Sequence, residues 1–204
     1  MKNLFDFKMV SPKIEIINDK KDVNHKTFII DPLENGYGTT IGNSIRRVAL
    51  ASMPGGAITE INIKGVAHEF STMDDVVEDV TSIVLNVKNI IIEVDTDDII
   101  ELKLQSQVKG AITAGDIVVP PNVRILNPEL VIATLAKDKV KFDMKLFAKR
   151  GVGYNVAEEN RGDVKTSGKI FVDSIFTPVQ KITYKTEDTR VGEITNYDKL
   201  IMDI

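Results

Sequence analysis

Gly36, Gly38 and Gly42 lie in G-Y-G-T-T-I-G just ahead of a helical stretch, where backbone N–H groups can cradle an anion. That spacing is one residue longer than the dinucleotide fingerprint. Pro32 also parts the preceding strand from the glycines, where a dinucleotide fold needs a tight strand-to-helix turn. No GK[ST] follows, which excludes a P-loop. His25 and His68 are the only histidines, and neither has a sequence neighbour that suggests a triad. The serines lack the nucleophile-elbow pattern. Asp95, Asp97 and Asp98 are turn chemistry first, without the further acid and glycine positions of a calcium loop. Glu158 and Glu159 fall in a polar segment where solvated surface is the default. The absence of cysteine removes disulfides, a thiol nucleophile and a thiolate metal site. No D-x-D-x-D string is present to hold a catalytic magnesium. The chemistry points to a scaffold with no metal or cofactor, and a small-ligand or nucleotide-binding enzyme using the Gly36–Gly42 loop is the alternative.

These groups sit in a chain of 204 residues, long enough for one large domain or two small ones. Hydrophobic residues at 43% and charged residues at 27% are ordinary for a globular protein. No apolar run approaches the roughly 20 residues of a membrane span, and MKNLFDFKMV lacks the apolar centre of a signal peptide. A cytoplasmic protein without a membrane partner is expected. The net charge of −4 and the scattering of 26 basic residues argue against direct, sequence-specific DNA binding.

Periodicity predicts the elements that must hold these residues. KIEIIN and KTFII read as a hairpin over 13–18 and 26–30. A helix capped by Thr39 or Thr40 then runs to Met53, stopped by Pro54-Gly55-Gly56. AITEINIK alternates as a half-buried strand that VAHEF continues. Ser71-Thr72 with Asp74 or Asp75 starts a second helix, whose stripe is Val76, Val77, Val80, Ile83, Val84 and Val87, ending near Asn89. IIIEVD and IIELKL are predicted to form a hairpin over TDD, and ELVIATLA and KVKFDMKLFAK another over KDK. NVAEENRGDVKTSG is the expected mobile loop, and three strands close the chain. This order gives an α+β fold rather than repeated βαβ units.

On the first helix, Ile41, Ile45, Val48 and Ser52 cluster on the side expected to face the core, with Ala49 at its edge. Leu50 points the opposite way between Arg46 and Arg47. An apolar residue framed by two arginines on an outer face suits a partner surface.

The stretch GYGTTIGNSIRRVALASMPGGAITEINIKGVAHEF closely resembles the signature region of the bacterial RNA polymerase alpha subunit. It shares G-x-T-x-G-N-[AS]-[IL]-R-R, S-[ML]-P-G and G-V-x-H-E-[FY], and the similarity runs through nearly the whole chain. The resemblance implies a dimerisation subdomain built from both chain ends, residues 1–55 and 174–204, with a mostly-β subdomain inserted at 56–173. It implies a homodimer that serves as assembly platform for the beta and beta-prime subunits. This chain would then be a non-catalytic subunit of a nucleotidyltransferase, meeting DNA only indirectly. Contacts to the second copy or a large subunit are implied at Gly42, Asn43, Arg46, Arg47, Leu50, His68, Glu69, Ser71 and Lys88. Family members continue into a further helix, a linker and a DNA-contacting domain, so the sequence is expected to be a truncated piece or a short relative.

Overall fold

The computed structural model describes residues 11–20, 22–162 and 168–204. MKNLFDFKMV and residues 163–167 of the expected mobile loop therefore lie outside the described residues. The chain separates into two compact units, one running up to Ser52 and resuming over Val179–Ile204, the other Met53–Pro178.

The first unit begins with β1 (Lys13–Asn18) and β2 (Lys26–Leu33), the expected hairpin, paired antiparallel from Lys13↔Asp31 to Asn18↔Lys26. β2 runs further than the sequence pattern predicts, through Asp31 and Pro32 to Leu33. α1 (Tyr37–Ala51) follows. It starts before either expected cap: Gly36 is the N-cap with φ at 83°, and Thr39 and Thr40 lie inside the first turn. Pro54-Gly55-Gly56 is not what stops it. The helix ends at Ala51, and those three residues open the next strand.

That strand is β3 (Pro54–Ile63), the first element of the second unit. It stops at Ile63, so VAHEF does not continue it; Gly65, at φ 87°, makes the turn that ends the ladder. α2 (Val80–Lys88) starts well after the expected Ser71-Thr72. The intervening stretch pairs elsewhere: Val76 bridges Leu135, and the Glu78 carboxylate accepts the Thr134 N–H at 2.6 Å and its hydroxyl at 2.9 Å. Asp79 caps the helix instead, accepting the Ser82 N–H at 2.8 Å.

β4 (Ile92–Val94), β5 (Ile100–Ser106), β6 (Gly110–Thr113), β7 (Ile117–Val118), β8 (Val123–Ile125), β9 (Val131–Leu135) and β10 (Phe142–Val152) come next. Neither predicted hairpin forms among them. β4 and β5 are separated by two strands in the sheet order β7-β5-β10-β3-β4-β8, while β9 leaves β10 to pair with β6. The long β10 is the reason: it pairs β3 on one side and β5 on the other, occupying both of its edges. One face of it is buried at Phe142, Met144, Leu146 and Ala148, against Ile61, Leu102, Leu104 and the inner side of α2. β11 (Tyr154–Asn155) and β13 (Ser174–Ile175) form a two-residue ladder around α3 (Ala157–Arg161) and β12 (Ile170–Phe171), the latter paired with β3. Part of the expected loop is therefore helical.

The chain then returns to the first unit with β14 (Thr183–Val191) and β15 (Ile194–Asp203), completing a sheet in the order β1-β2-β15-β14. The β2–β15 register slips between Asp198 and Leu200, beside Pro32, which has no N–H to give the ladder. Register sets two rows across all four strands, Ile14–Ile30–Leu200–Thr186 and Ile16–Phe28–Met202–Tyr184. α1 lies over the β14–β15 half of this face, and its small core is Leu33, Ala49, Ile182, Leu200 and Met202.

Candidate subunit interface

α1 meets its sheet through glycine. A Cβ at Gly42 would stand 2.6 Å from the Tyr184 ring and 3.0 Å from Leu200, and one at Gly38 would stand 2.7 Å from Thr186. Gly38, Gly42 and Ala49 are the buried residues of the helix and define its seam. The predicted phase is thus off by roughly 70°, at about 100° per residue. The residues expected to face the core stand beside it: Ile41 is half-buried, Ile45 and Val48 are exposed, and Tyr37 joins them on the same flank. Leu50, expected on the outer face, is half-buried on the other flank against the same core cluster. The physical reason is that a hydrophobic stripe counts side chains, whereas this helix docks by lacking them.

Asp198 of β15 fixes the start of α1. Its Oδ2 accepts the Gly36 N–H at 2.9 Å and the Gly38 N–H at 3.0 Å, satisfying donors that a helix N-terminus leaves orphaned. The same carboxylate fills the anion position of the glycine loop. A phosphate would have to displace a negative group already bonded there, so the nucleotide-binding alternative finds no support. Asp198→Ala is expected to cost about 1–2 kcal/mol, as loss of a capping side chain does. Urea unfolding reads this directly, and an unchanged midpoint would show that water replaces the carboxylate.

Two exposed flanks remain on α1. One is apolar and carries Tyr37 (55% exposed), Ile41, Ile45 and Val48 (59%). Beside it the β1–β2 half of the sheet is only partly covered: Phe28 and Ile30 border the core, and Ile14 and Ile16 are exposed on the same face. The other flank carries Asn43, Arg46 and Arg47, all exposed, above Leu50. Neither arginine has an ion pair among the described residues. Of the residues named from sequence in this unit, Gly42 alone is buried, facing Tyr184 and Leu200.

In the second unit His68, Glu69 and Ser71 lie on one turn ahead of α2. Ser71 Oγ and His68 Nδ1 are 3.2 Å apart, the Glu69 carbonyl accepts the Thr81 hydroxyl at 2.9 Å, and the Ser71 carbonyl accepts the Val80 N–H at 3.3 Å. These bonds pin the turn to the helix start and leave Phe70 78% exposed between them. Lys88, at the far end of α2, is not a free cation: its Nζ lies 2.7 Å from Asp173 Oδ2. Lys88 holds the Asp173 carboxyl below the usual carboxylate range, with help from the Ala157 N–H. Asp173 and Asp198 were missed in the sequence because each acts on a group far along the chain. Among the described residues no group of acids and histidines is arranged to hold a metal ion, and no helix is long and apolar enough to cross a membrane.

Residues 61–177 match the family described as RNA polymerase Rpb3/RpoA insert domain. The chain is also similar to a DNA-directed RNA polymerase subunit alpha from Oceanobacillus iheyensis, 48% identical over 193 residues, which cover 95% of this chain. It spans 61% of the length of that relative.

Proposed function

The chain belongs to the RNA polymerase alpha-subunit family marked by the Rpb3/RpoA insert domain, and from that membership we propose that it is a non-catalytic assembly subunit. In this reading the first unit is the dimerisation subdomain, built from both ends of the chain, and the second is the inserted one. Two copies associate, and the pair gathers the large beta and beta-prime subunits of a cytoplasmic polymerase. The subunit needs no cofactor of its own and meets DNA only through the assembled enzyme.

The observation that carries the proposal is the two-sided character of α1. Its apolar flank, continuous in chemistry with Ile14 and Ile16, suits a second copy of the chain, because a self-complementary patch of one kind is what a two-fold interface requires. Its arginine flank suits a carboxylate-bearing surface, since guanidinium groups with no ion pair among the described residues can bind acids bidentately. The pinned turn at His68–Ser71, with exposed Phe70, adds a second contact of the same assembly.

Sedimentation over a concentration series is expected to show a monomer–dimer equilibrium. Val48→Asp should displace it to monomer, because a charge would be buried in the apolar flank. A strictly monomeric chain at high micromolar concentration would remove the dimer from the proposal. Co-purification with separately expressed beta and beta-prime subunits tests the rest: capture of neither leaves the scaffold reading without a function.

A further inference from the structure

The loop that delivers β2 to α1 carries Asn35-Gly36, the one Asn-Gly step in the 204-residue sequence. Gly36 is needed there for its backbone and not for space: its φ is 83°, and a Cβ would meet nothing within 4 Å. The same lack of a Cβ leaves the Gly36 nitrogen unscreened from the carboxamide that precedes it. Asn35 is exposed, and its side chain has no hydrogen-bond partner among the described residues. Attack of the Gly36 nitrogen on Asn35 Cγ would close a succinimide ring.

What opposes that attack is Asp198. Its Oδ2 accepts the Gly36 N–H at 2.9 Å and the Gly38 N–H at 3.0 Å, so the attacking nitrogen is tied to a strand far along the chain. To react, the nitrogen must turn towards Asn35 and give up its proton. A carboxylate at 2.9 Å holds the N–H form and repels an amide anion, so it disfavours both steps. Two further bonds hold the same turn. The Tyr37 N–H donates to the Glu34 carbonyl at 2.9 Å, and the Thr40 hydroxyl donates to the Gly36 carbonyl at 3.1 Å.

We propose that Asn35-Gly36 is a self-modification site, open to deamidation and isomerisation, and that Asp198 keeps it closed in the folded chain. In the reaction the Gly36 nitrogen bonds to Asn35 Cγ, and the Cγ–Nδ2 bond breaks. The carboxamide nitrogen leaves as ammonia, taking the Gly36 proton with it. Water then opens the imide at either carbonyl, giving aspartate or isoaspartate without any oxidant or reductant. Isoaspartate routes the backbone through Cγ and so lengthens it. The new carboxylate stands beside Asp198, and like charges together with the altered path pull Gly36 from its bond. The site thus couples a slow covalent change to the docking of α1.

The folded chain, its Asp198→Ala and Ile182→Val variants, and a synthetic peptide of residues 31–41 are aged side by side in mildly alkaline buffer. Mass spectrometry of tryptic fragments locates the change, with Asn43, inside α1 on the same fragment, as internal reference. If Asp198 guards the step, the peptide reacts fastest. Asp198→Ala then speeds the folded chain about tenfold or more, the factor expected when a hydrogen bond to a charged group is lost. Ile182→Val trims the core of the same unit without touching the loop, and stays close to the unsubstituted rate. The isoaspartyl form, separated by chromatography, unfolds at a lower urea concentration. The proposal is overturned if the folded chain ages as fast as the peptide, or if Asp198→Ala leaves the rate unchanged. It is overturned equally if Asp198→Ala slows the reaction, which would make the carboxylate its base, or if Ile182→Val matches Asp198→Ala, so that loosening alone explains the rate. An isoaspartyl form with an unchanged midpoint removes the coupling to α1.

Discussion

Arg47→Ala is expected to weaken assembly with a large subunit about thirtyfold or more while leaving the chain folded. Arg47 sits about 160° around α1 from the glycine seam, at about 100° per residue, so its side chain leaves the sheet altogether. It is exposed and has no ion pair among the described residues, so truncating it orphans no ionic partner there. Its effect on stability should be within about 0.5 kcal/mol, as for an exposed position away from special features. Binding is another matter. A central interface arginine is worth about 2 kcal/mol or more, and every 1.4 kcal/mol is tenfold in affinity, so the loss should be roughly thirtyfold or greater. Titration of the large subunit against both forms measures it. Normal affinity in the variant would mean that the arginine flank faces solvent in the complex, and an unfolded variant would make Arg47 a structural residue. Arg46, roughly 60° from the seam, should show a smaller effect because its stem is closer to the sheet.

What the sequence revealed and what it hid follow from the reach of each interaction. Local patterns are legible: the hairpin of β1 and β2, the alternation of Phe142, Met144, Leu146 and Ala148, and the inner face of α2 at Val80, Ile83 and Val87 all come from neighbours within a few residues. Strand partners are not. β4 and β5 are adjacent in sequence and bounded by a turn, yet β5 pairs with Phe142–Ala148 of β10, and β3 intervenes before β4. A pattern of two cannot say which edge a strand will find. The same holds for polar side chains: Glu78 bonds to Thr134, Lys88 to Asp173 and Gly38 to Asp198, each across tens of residues. Those bonds decide where α2 begins, whether a lysine is free and whether a glycine loop can take an anion. In each case the residue type was visible and its engagement was not.

The rotation of α1 is the most consequential of these differences, because it exchanges the core side for the surface proposed to carry self-association. Gly42→Val tests the glycine seam that causes the rotation and should be the most damaging single change in the first unit. Alanine there would already place Cβ 2.6 Å from the Tyr184 ring, a contact real Cβ atoms do not show, against a ring that cannot fold away like a flexible chain end. For alanine the gain in helix propensity over glycine, about 1 kcal/mol, partly offsets overpacking that typically costs 1–3 kcal/mol. Valine keeps less of that gain and adds two methyl groups to the same gap, so α1 must lift from β14 and β15. Lifting also exposes Leu200 and loosens the Asp198 bonds at Gly36 and Gly38. A loss of about 3 kcal/mol or more is expected from the summed overpacking and lost burial, read as a lower urea midpoint. Self-association should fail with it, since Tyr37, Ile45 and Val48 would no longer be held at one distance from Ile14 and Ile16. Tyr184→Ala in the same chain removes the ring that valine strikes and should recover part of the loss, whereas alone it leaves a cavity and destabilises. If Gly42→Val melts like the unsubstituted chain and still dimerises, the helix does not dock through Gly42, and the apolar flank belongs to the core after all.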